Sequence, residues 1–199
     1  TILDIGTGTG VIALMLAQRL PHARIDAIDI DSKTCQKAIA NFENSTFTNR
    51  LQGYPLSFQD YFREHATRTY DLIVSNPPFF INALESAQTS QKLARHTDLH
   101  FFEQLIQAIA AQLNHNGQAW LVLPLETANK VISIASANKL FIHKKTHLCS
   151  FPDSDPYRVI LALGKQQQET TIETLTIYDR PKVYSTQYQQ ALQDFLTIF

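Results

Sequence analysis

The sequence has few cysteines and no long apolar run, and both absences narrow the class of protein. Its 199 residues include two cysteines, Cys35 and Cys149. Two cysteines cannot build a disulfide framework, and neither has Cys-x-x-Cys spacing or an obvious histidine partner, so we expect no zinc site. An apolar run of about 18 residues, the minimum for a membrane-spanning helix, does not occur.

An excess of positive charge is also missing. The chain has 17 Lys and Arg against 18 Asp and Glu, a formal net charge of −1, whereas nucleic-acid-binding proteins usually carry a basic surface. Each local basic group can equally be an ordinary solvated face. The groups are His-Lys-Lys-Thr-His at 143–147, Lys92 with Arg95 and His96, and Arg180 with Lys182.

The most informative segment is residues 73–80, Ile-Val-Ser-Asn-Pro-Pro-Phe-Phe. Because prolines lack a backbone N–H and fix φ, the carbonyls of Asn76 and Pro77 are left without a helix or sheet partner. With the Asn76 side-chain oxygen they form rigid acceptors for a planar NH₂ group, beside the aromatic faces of Phe79 and Phe80. The alternative is a strand closed by a proline turn, with both phenylalanines in the core.

A glycine-rich turn follows the first apolar strand. Residues 1–10 read Thr-Ile-Leu-Asp-Ile-Gly-Thr-Gly-Thr-Gly, and an amphipathic helix comes next. Glycine lets a backbone approach a ligand closely, but Gly6, Gly8 and Gly10 are one residue short of the dinucleotide-binding spacing. The carboxylate of Asp4 would repel the negative charge of a pyrophosphate. It suits an amine-bearing ligand, such as the amino-acid end of S-adenosylmethionine.

Two further acids occupy predicted strand ends. Asp29 ends the alternating segment 24–29, about 20 residues past the glycine turn, where a carboxylate can accept both ribose hydroxyls. Asp31 is better placed to cap the next helix. Asp60 ends a third predicted strand and can hold the adenine amine of a cofactor or cap a helix.

Strand-like and helical segments alternate along the chain, which predicts an α/β fold with a seven-stranded, mostly parallel sheet and helices on both faces. Ligands in such sheets bind at the carboxyl ends of the strands, where the glycine turn, Asp29, Asp60 and Asn76 are all expected. We predict one domain, with a core over 1–165 and a C-terminal strand and helix over 170–199. Strands are expected near 1–5, 24–29, 56–59, 70–75, 118–123, 139–149 and 157–163, and helices near 11–20, 32–45, 98–114 and 125–138.

These motifs resemble the class I S-adenosylmethionine-dependent methyltransferases that methylate amino groups. The resemblance rests on Leu-Asp-Ile-Gly-x-Gly-x-Gly, Asp29, Asp60 and Asn-Pro-Pro-Phe, and extends over nearly the whole chain. Within the family it is strongest to the bacterial tRNA adenine-N6 methyltransferases, which modify the adenine next to the anticodon of valine tRNA. It implies a Rossmann-like fold, S-adenosylmethionine as cofactor, tRNA as partner, no metal and a cytoplasmic location; we expect a monomer.

The resemblance also implies roles for individual residues. Asn76, Pro77 and Phe79 would be catalytic, because two acceptors on the hydrogens of adenine N6 aim its lone pair at the sulfonium methyl, while Phe79 stacks on the base. The cofactor would be bound by Asp4, Gly6, Gly8, Gly10, Asp29, Asp60 and Asn76. The substrate would be bound by Pro78, Phe79, Phe80 and Arg95.

Several alternatives stay open. The Asn-Pro-Pro-aromatic motif also occurs in guanine-N2 methyltransferases of ribosomal RNA and in glutamine-N5 methyltransferases of release factors. A different class is a cofactor-binding module without catalysis. The polar segment 81–97 is either a substrate-gating loop or a surface loop without a role. Family members carry a basic segment with Gly-Thr-Asp ahead of the first strand, so a chain that opens at Thr1 is expected to be a fragment.

Overall fold

The structure is a computed structural model that describes residues 1–77 and 90–198, with side chains in all of these except 90–98. The strands are β1 (Ile2–Ile5), β2 (Ile25–Ile28), β3 (Leu51–Tyr54), β4 (Tyr70–Ser75), β5 (Leu113–Leu123), β6 (Phe141–Cys149), β7 (Arg158–Gly164), β8 (Thr171–Thr176), β9 (Tyr178–Arg180) and β10 (Val183–Tyr184). The helices are α1 (Val11–Arg19), α2 (Ser32–Glu43), α3 (Phe58–Glu64), α4 (Ser90–Gln112), α5 (Leu125–Ala137) and α6 (Thr186–Leu192).

One sheet of eight strands forms the centre of the fold, in the order β3-β2-β1-β4-β5-β7-β6-β8. The first five strands in that order are parallel, β7 is antiparallel to both of its neighbours, and β8 is parallel to β6. The predicted mostly parallel α/β fold is confirmed. The sheet has eight strands rather than the predicted seven, because β8 of the C-terminal segment joins its edge.

The sheet is covered on both faces, as predicted. Successive side chains of a strand point to opposite faces. On β1, Ile2 packs in a cluster with Ala13 of α1 and Phe42 of α2. Its neighbour Leu3 belongs to a larger cluster that includes Leu105 of α4 and residues of α3 and α5. The sheet is thus buried on both sides, and ligand access is left to its edges.

The direction of strand order changes between β1 and β4. The chain passes from β1 to β2 and β3 on one side, then crosses to place β4 on the other side of β1. At such a switch point the connections leave in opposite directions, so a crevice opens at the carboxyl ends of the two central strands. The glycine turn follows β1 and Asn76 follows β4, which puts both at this crevice.

The third strand does not lie where the sequence predicted it. We expected a strand over 56–59, but β3 is Leu51–Tyr54 and pairs in parallel with β2, while Phe58 begins α3. The Ser57 hydroxyl accepts a hydrogen bond from the Asp60 amide and donates one to its carboxylate. This reciprocal cap fixes the start of the helix, so the alternation of apolar and polar residues here was misleading.

The C-terminal segment is held at two places. β8 pairs with β6 over six residues. Beyond α6, the chain reaches the end of α1, where Gln18 donates to the Asp194 carbonyl at 2.8 Å and the Arg19 guanidinium lies 4.5 Å from the centre of the Phe195 ring. None of the helices in the described part of the chain is long and apolar enough to span a bilayer.

Candidate active site

The glycine turn connects β1 to α1 with three residues of positive φ, which are 72° at Gly6, 59° at Gly8 and 86° at Gly10. A Cβ atom on Gly6 or Gly8 would meet nothing within 4 Å, whereas one on Gly10 would overlap the ring of Phe42. Gly6 and Gly8 therefore keep an open space beside the backbone. Gly10 instead allows α2 to pack closely against the start of α1.

Asp4 is a carboxylate buried beneath this turn. It is 0% exposed, and its Oδ2 accepts a hydrogen bond of 2.7 Å from the Thr7 hydroxyl. Its Oδ1 has no hydrogen-bond partner among the described residues. Burial raises the pKa of Asp4 to about 6, although Thr7 and the Ala13 amide act in the opposite direction. An unsatisfied buried carboxylate is costly and marks a place where a positive charge is favourable.

Asp29 closes the turn from the neighbouring strand. Its Oδ2 accepts the Gly8 amide at 2.8 Å, and its Oδ1 accepts the Asp31 amide at 2.9 Å. A carboxylate has about four acceptor positions, so two are still available for a ligand. Asp31 caps α2 through the Lys33 amide, and that prediction is confirmed.

Asp60 lies in the first turn of α3 rather than at a strand end. Its carboxylate accepts a hydrogen bond from Ser57 and forms an ion pair with Arg63, and these partners lower its pKa. Of the two roles that the sequence left open for Asp60, these contacts are those of a helix cap. Its role in binding the adenine amine stays a prediction.

Asn76 and Pro77 follow β4 at the same edge. Asn76 is exposed and Pro77 is buried. The preceding Ser75 is 3% exposed, and its hydroxyl donates to the carbonyl of Ile5 at 2.8 Å. This bond ties the residue before Asn76 to the residue before Gly6, so the acceptor segment and the glycine turn are held in a fixed relation.

One cavity of 400 Å³ brings much of the predicted site together. Gly6, Gly8, Asp29, Asn76 and Pro77 line it. The predicted residues Asp4, Gly10 and Asp60 do not. Five residues chosen from three separate segments thus meet at the crevice between β1 and β4.

The cavity also has walls that the sequence did not single out. Ile30 is 78% exposed although it is a large apolar residue. It lines the cavity with Leu56, Phe58 and Phe101. The available signal in the sequence was the position of this isoleucine, which directly follows Asp29 and is not needed by the core. Leu56 and Phe58 were read as part of a strand, and Phe101 comes from the distant α4.

Part of the prediction lies outside the described residues. This applies to Pro78, Phe79 and Phe80, and to the side chain of Arg95. Of the predicted polar loop 81–97, residues from Ser90 onward belong to α4. Within the described residues, no cluster of three or more His, Cys, Asp or Glu side chains could hold a metal ion.

The family can be assigned by comparison with known proteins. A family model described as the methyltransferase small domain matches residues 1–133. The tRNA1(Val) (adenine(37)-N6)-methyltransferase of Pedobacter heparinus is 41% identical over 198 residues, which cover 100% of this chain and 83% of that protein. The chain belongs to the methyltransferase small domain family. The enzyme of the same name from Parabacteroides distasonis is 40% identical to this methyltransferase over 98% of the chain and 81% of its own length.

Solved structures agree with the fold of this methyltransferase. A predicted O-methyltransferase from Agrobacterium tumefaciens superposes with a TM-score of 0.72 at 16% identity and covers 93% of this chain and 84% of its own. The METTL16 methyltransferase domain gives a TM-score of 0.56 at 20% identity and covers 83% of this chain and 72% of its own. At these identities the likeness concerns the fold alone. The resemblance to amino-methylating class I enzymes, and the enzyme class, are confirmed.

Proposed function

We propose that this methyltransferase transfers the methyl group of S-adenosylmethionine to the exocyclic N6 of an adenine in tRNA, the anticodon-loop adenine of valine tRNA. The observation that carries the proposal is the 400 Å³ cavity at the crevice. One part of its lining suits a nucleoside-bearing cofactor, and another part suits a planar amine. The names of the two bacterial relatives, and their similarity over 83% and 81% of their own lengths, support adenine in tRNA as the substrate.

The residues present fit the cofactor. Asp29 has two acceptor positions left for the ribose hydroxyls, because each of its oxygens receives one backbone amide. The open space beside Gly6 and Gly8 lets the amino-acid part lie against the backbone. Exposed Ile30 and the neighbouring Leu56 offer apolar surface to the adenine ring. The ring would cover these side chains, and removing apolar surface from water is favourable.

Asp4 would supply the charge that the ammonium group of the cofactor requires. It does not line the cavity, but it is buried under the turn that does, and its hydroxyl partner Thr7 belongs to that turn. In a low-dielectric surrounding an ionised carboxylate attracts a nearby cation more strongly than in water. The unpartnered Oδ1 is the structural observation that favours this role.

The acceptors at the end of β4 would prepare the amine of the substrate. Adenine N6 is a poor nucleophile because its lone pair is delocalised into the ring. Asn76 Oδ1 and the Pro77 carbonyl can each accept one N6 hydrogen, which favours a tetrahedral nitrogen. Bound S-adenosylmethionine supplies an electrophilic methyl group. Catalysis by Asn76 and Pro77 then consists of positioning and electrostatic stabilisation, and the displaced N6 proton leaves to solvent after transfer.

Further contacts to the substrate are proposed from the sequence alone. Phe79 would stack on the target base, a contact that contributes about 1–3 kcal/mol in single-strand binders. Pro78, Phe80 and Arg95 would complete the pocket and bind the adjoining RNA. Because bases in loops unstack readily, an anticodon-loop adenine can enter such a site, and an enzyme acting on tRNA would work in the cytoplasm.

The proposal is tested by labelling. The protein is incubated with tritiated S-adenosylmethionine and tRNA from cells that lack the modification, and the digested RNA is separated into nucleosides. We expect the label in N6-methyladenosine. If the cofactor binds but tRNA takes up no label, the substrate assignment is wrong, and ribosomal RNA and release factors become the substrates to test.

A further inference from the structure

Four aromatic rings form a continuous stack at the C-terminal side of the sheet. The ring centres of Phe151 and Tyr178 are 5.7 Å apart, those of Tyr178 and Tyr184 are 4.9 Å apart, and those of Tyr184 and Tyr188 are 5.5 Å apart. The last two pairs are stacked nearly parallel, with interplanar angles of 23° and 18°. We call these four residues the aromatic ladder.

The ladder lies at the same edge of the sheet as the proposed active site. β7 is antiparallel to β5 and β6, and β8 is parallel to β6, so β5, β6 and β8 end at the edge where β4 ends. Phe151 follows β6 and Tyr178 follows β8. β6 and β8 are three and four strands from β4, and with about 4.8 Å per strand the ladder is roughly 14–19 Å from Asn76.

The outer end of the ladder is exposed and fixed in place. Phe151 is 37% exposed, yet its backbone is held on both sides by Ser154, whose hydroxyl accepts from the Phe151 amide and donates to its carbonyl, each at 2.9 Å. Phe151, Tyr178 and Tyr184 line an open cleft of 460 Å³ together with Pro181 and Lys182. Phe151 belongs to neither of the two buried clusters of the core.

Lys182 adds a second unusual feature to the cleft. Its φ is 66°, a left-handed conformation that a lysine adopts only at a cost of about 1 kcal/mol or more. Lys182 lies in the two-residue turn between β9 and β10 and contributes to the wall of the aromatic cleft. The segments that carry the ladder, 151–158 and 178–188, have no excess charge: they contain Arg158, Arg180 and Lys182 and also Asp153, Asp155 and Asp179. The surface therefore suits a ligand that stacks more than one that is purely anionic.

We propose that the aromatic ladder binds an unpaired base of the RNA substrate several nucleotides from the methylated adenine, with Lys182 beside the adjoining phosphate. The proposal rests on the function proposed above. A stacked strand advances about 3.4 Å per nucleotide, so four to six nucleotides span the distance from the acceptor segment to the ladder. A base stacks on the outer face of Phe151, and the ladder serves as a second contact that orients the RNA.

The test compares two substrates in wild-type protein and in Phe151→Ala. One substrate is the anticodon stem-loop, and the other is an adenine-centred trinucleotide too short to reach the ladder. We expect Phe151→Ala to raise KM for the stem-loop about ten-fold, in line with the loss of one base–aromatic stack, while kcat and the trinucleotide KM stay unchanged. The slope of affinity against salt should not change, because no charge is removed.

Three further variants keep the result interpretable. Phe151→Trp retains a ring and should retain the wild-type KM, whereas Phe151→Leu retains apolar bulk without a ring and should behave like Phe151→Ala. Ile172→Ala removes an exposed apolar side chain on β8 outside the cleft and should leave KM unchanged for both substrates. A stem-loop KM that stays at the wild-type value in Phe151→Ala, or an equal loss for both substrates, overturns the proposal.

Failure of the proposed function gives a different result. If the wild-type protein methylates neither RNA, the substrate assignment fails, and the ladder is then tested by fluorescence anisotropy with the labelled stem-loop. A weaker complex in Phe151→Ala still supports an RNA-binding ladder. Equal affinity of the two proteins rejects it and leaves an aromatic or proline-rich peptide as the occupant to test.

Discussion

The amino ends and the carboxyl ends of the parallel strands, here called the amino edge and the carboxyl edge, use carboxylates in opposite ways. At the amino edge, Asp26 Oδ2 accepts hydrogen bonds from the Tyr61 hydroxyl at 2.8 Å, the Tyr70 hydroxyl at 2.9 Å and the Arg68 guanidinium at 2.7 Å. At the carboxyl edge, Asp4 Oδ2 accepts a hydrogen bond from the Thr7 hydroxyl, and its Oδ1 has no partner among the residues that the structure describes. A saturated carboxylate stabilises the fold, whereas an unsaturated one is available to a ligand.

The electrostatic consequences differ in the same way. Burial raises the pKa of Tyr61 and Tyr70, and the hydrogen bonds and negative charge of Asp26 add to this, so both phenols stay neutral donors. Hydrogen bonds to Tyr54 and Tyr61, with the charge of Asp26, raise the pKa of Arg68. Burial raises the pKa of Asp4 without a cation to offset it. The amino edge is thus complete as it stands, and the carboxyl edge is not.

The largest effect on activity is expected for Asn76→Ala at the carboxyl edge. Loss of one acceptor from a site of electrostatic stabilisation costs about 10²–10³ in kcat. We expect the melting temperature to stay nearly unchanged, since Asn76 is exposed. The cofactor dissociation constant should change far less than kcat, because the proposed partner of the Asn76 side-chain oxygen is the amine of the substrate. Single-turnover methylation measures the rate, calorimetric titration with S-adenosylhomocysteine measures the dissociation constant, and thermal unfolding gives the melting temperature.

Asn129 provides a matched control for this variant. It is an exposed asparagine on α5, and Asn129→Ala should leave all three quantities at their wild-type values. Full activity of Asn76→Ala would falsify the proposed role of the acceptor segment, and a large drop in its melting temperature would mean that Asn76 acts through the fold.

For Asp26→Ala at the amino edge we expect the opposite result, a loss of stability without a loss of cofactor affinity. Removing the carboxylate takes away the acceptor that two buried hydroxyls and a guanidinium share, which destabilises the protein by roughly 2–4 kcal/mol. Below the melting temperature the cofactor affinity should not change, because Asp26 belongs to the opposite edge. Urea unfolding gives the free energy of unfolding, and Asp153→Ala in an exposed loop is the control. An unaltered stability in Asp26→Ala contradicts the comparison of the two edges.

The comparison of the two edges predicts that protonation of Asp4 makes both the stability of the protein and its cofactor affinity depend on pH. Between about pH 3.8 and 6 the unfolded chain loses the Asp4 proton while the folded protein keeps it, so rising pH favours unfolding by roughly 3 kcal/mol across this window. The contribution of Asp4 to the free energy of unfolding is fully present below about pH 3.8 and is lost as the pH rises through about 6. Cofactor affinity should rise over the same window, as the ionised carboxylate attracts the ammonium group.

Asp4→Asn is the corresponding variant. The difference in unfolding free energy between variant and wild type isolates this group, and at pH 7 the variant should be the more stable protein and bind the cofactor more weakly. Asp179→Asn, on exposed β9, controls for the loss of one negative charge. A cofactor affinity that still rises through pH 6 in Asp4→Asn assigns that titration to another group.

The carboxyl edge could be predicted from the sequence largely because its signals are local. Each signal is contained within a few residues. The signals are a strand that ends at Gly6 and Gly8, an acid at the end of the next strand, and an Asn-Pro pair. The crevice itself follows from the rule that parallel strands of an α/β sheet bind ligands at their carboxyl ends. The amino edge was not predicted, because Tyr61, Tyr70 and Arg68 meet Asp26 across three separate segments.

The two errors in the predicted fold have different origins. Leu56, Ser57 and Phe58 alternate like a strand, but the Ser-x-x-Asp pattern that ends at Asp60 is also a helix-start signal, and that signal could have been given more weight. β8 was expected in a separate extension because nothing in its own residues specifies parallel pairing with β6. Such pairing depends on distant parts of the chain and is set by the completed sheet.

The smallest effect is expected where the C-terminal segment meets α1. Arg19 forms an ion pair of 3.2 Å with Asp194, with both side chains about half exposed, and packs on the Phe195 ring. Exposed pairs contribute about 0–1 kcal/mol, and a cation–π contact at an exposed site adds about 0.5–1. We therefore expect Arg19→Ala to lower the unfolding free energy by roughly 0.5–2 kcal/mol, less than Asp26→Ala does.

Hydrogen exchange should show where that small change acts. In Arg19→Ala the amides of α6 should exchange faster, while those of β1 and β4 keep their wild-type protection, because the Arg19 contacts hold only the end of the chain. Lys130→Ala, which breaks an exposed ion pair with Glu126 on α5, should leave α6 unchanged. Faster exchange throughout the sheet in Arg19→Ala would show instead that the C-terminal segment supports the central strands.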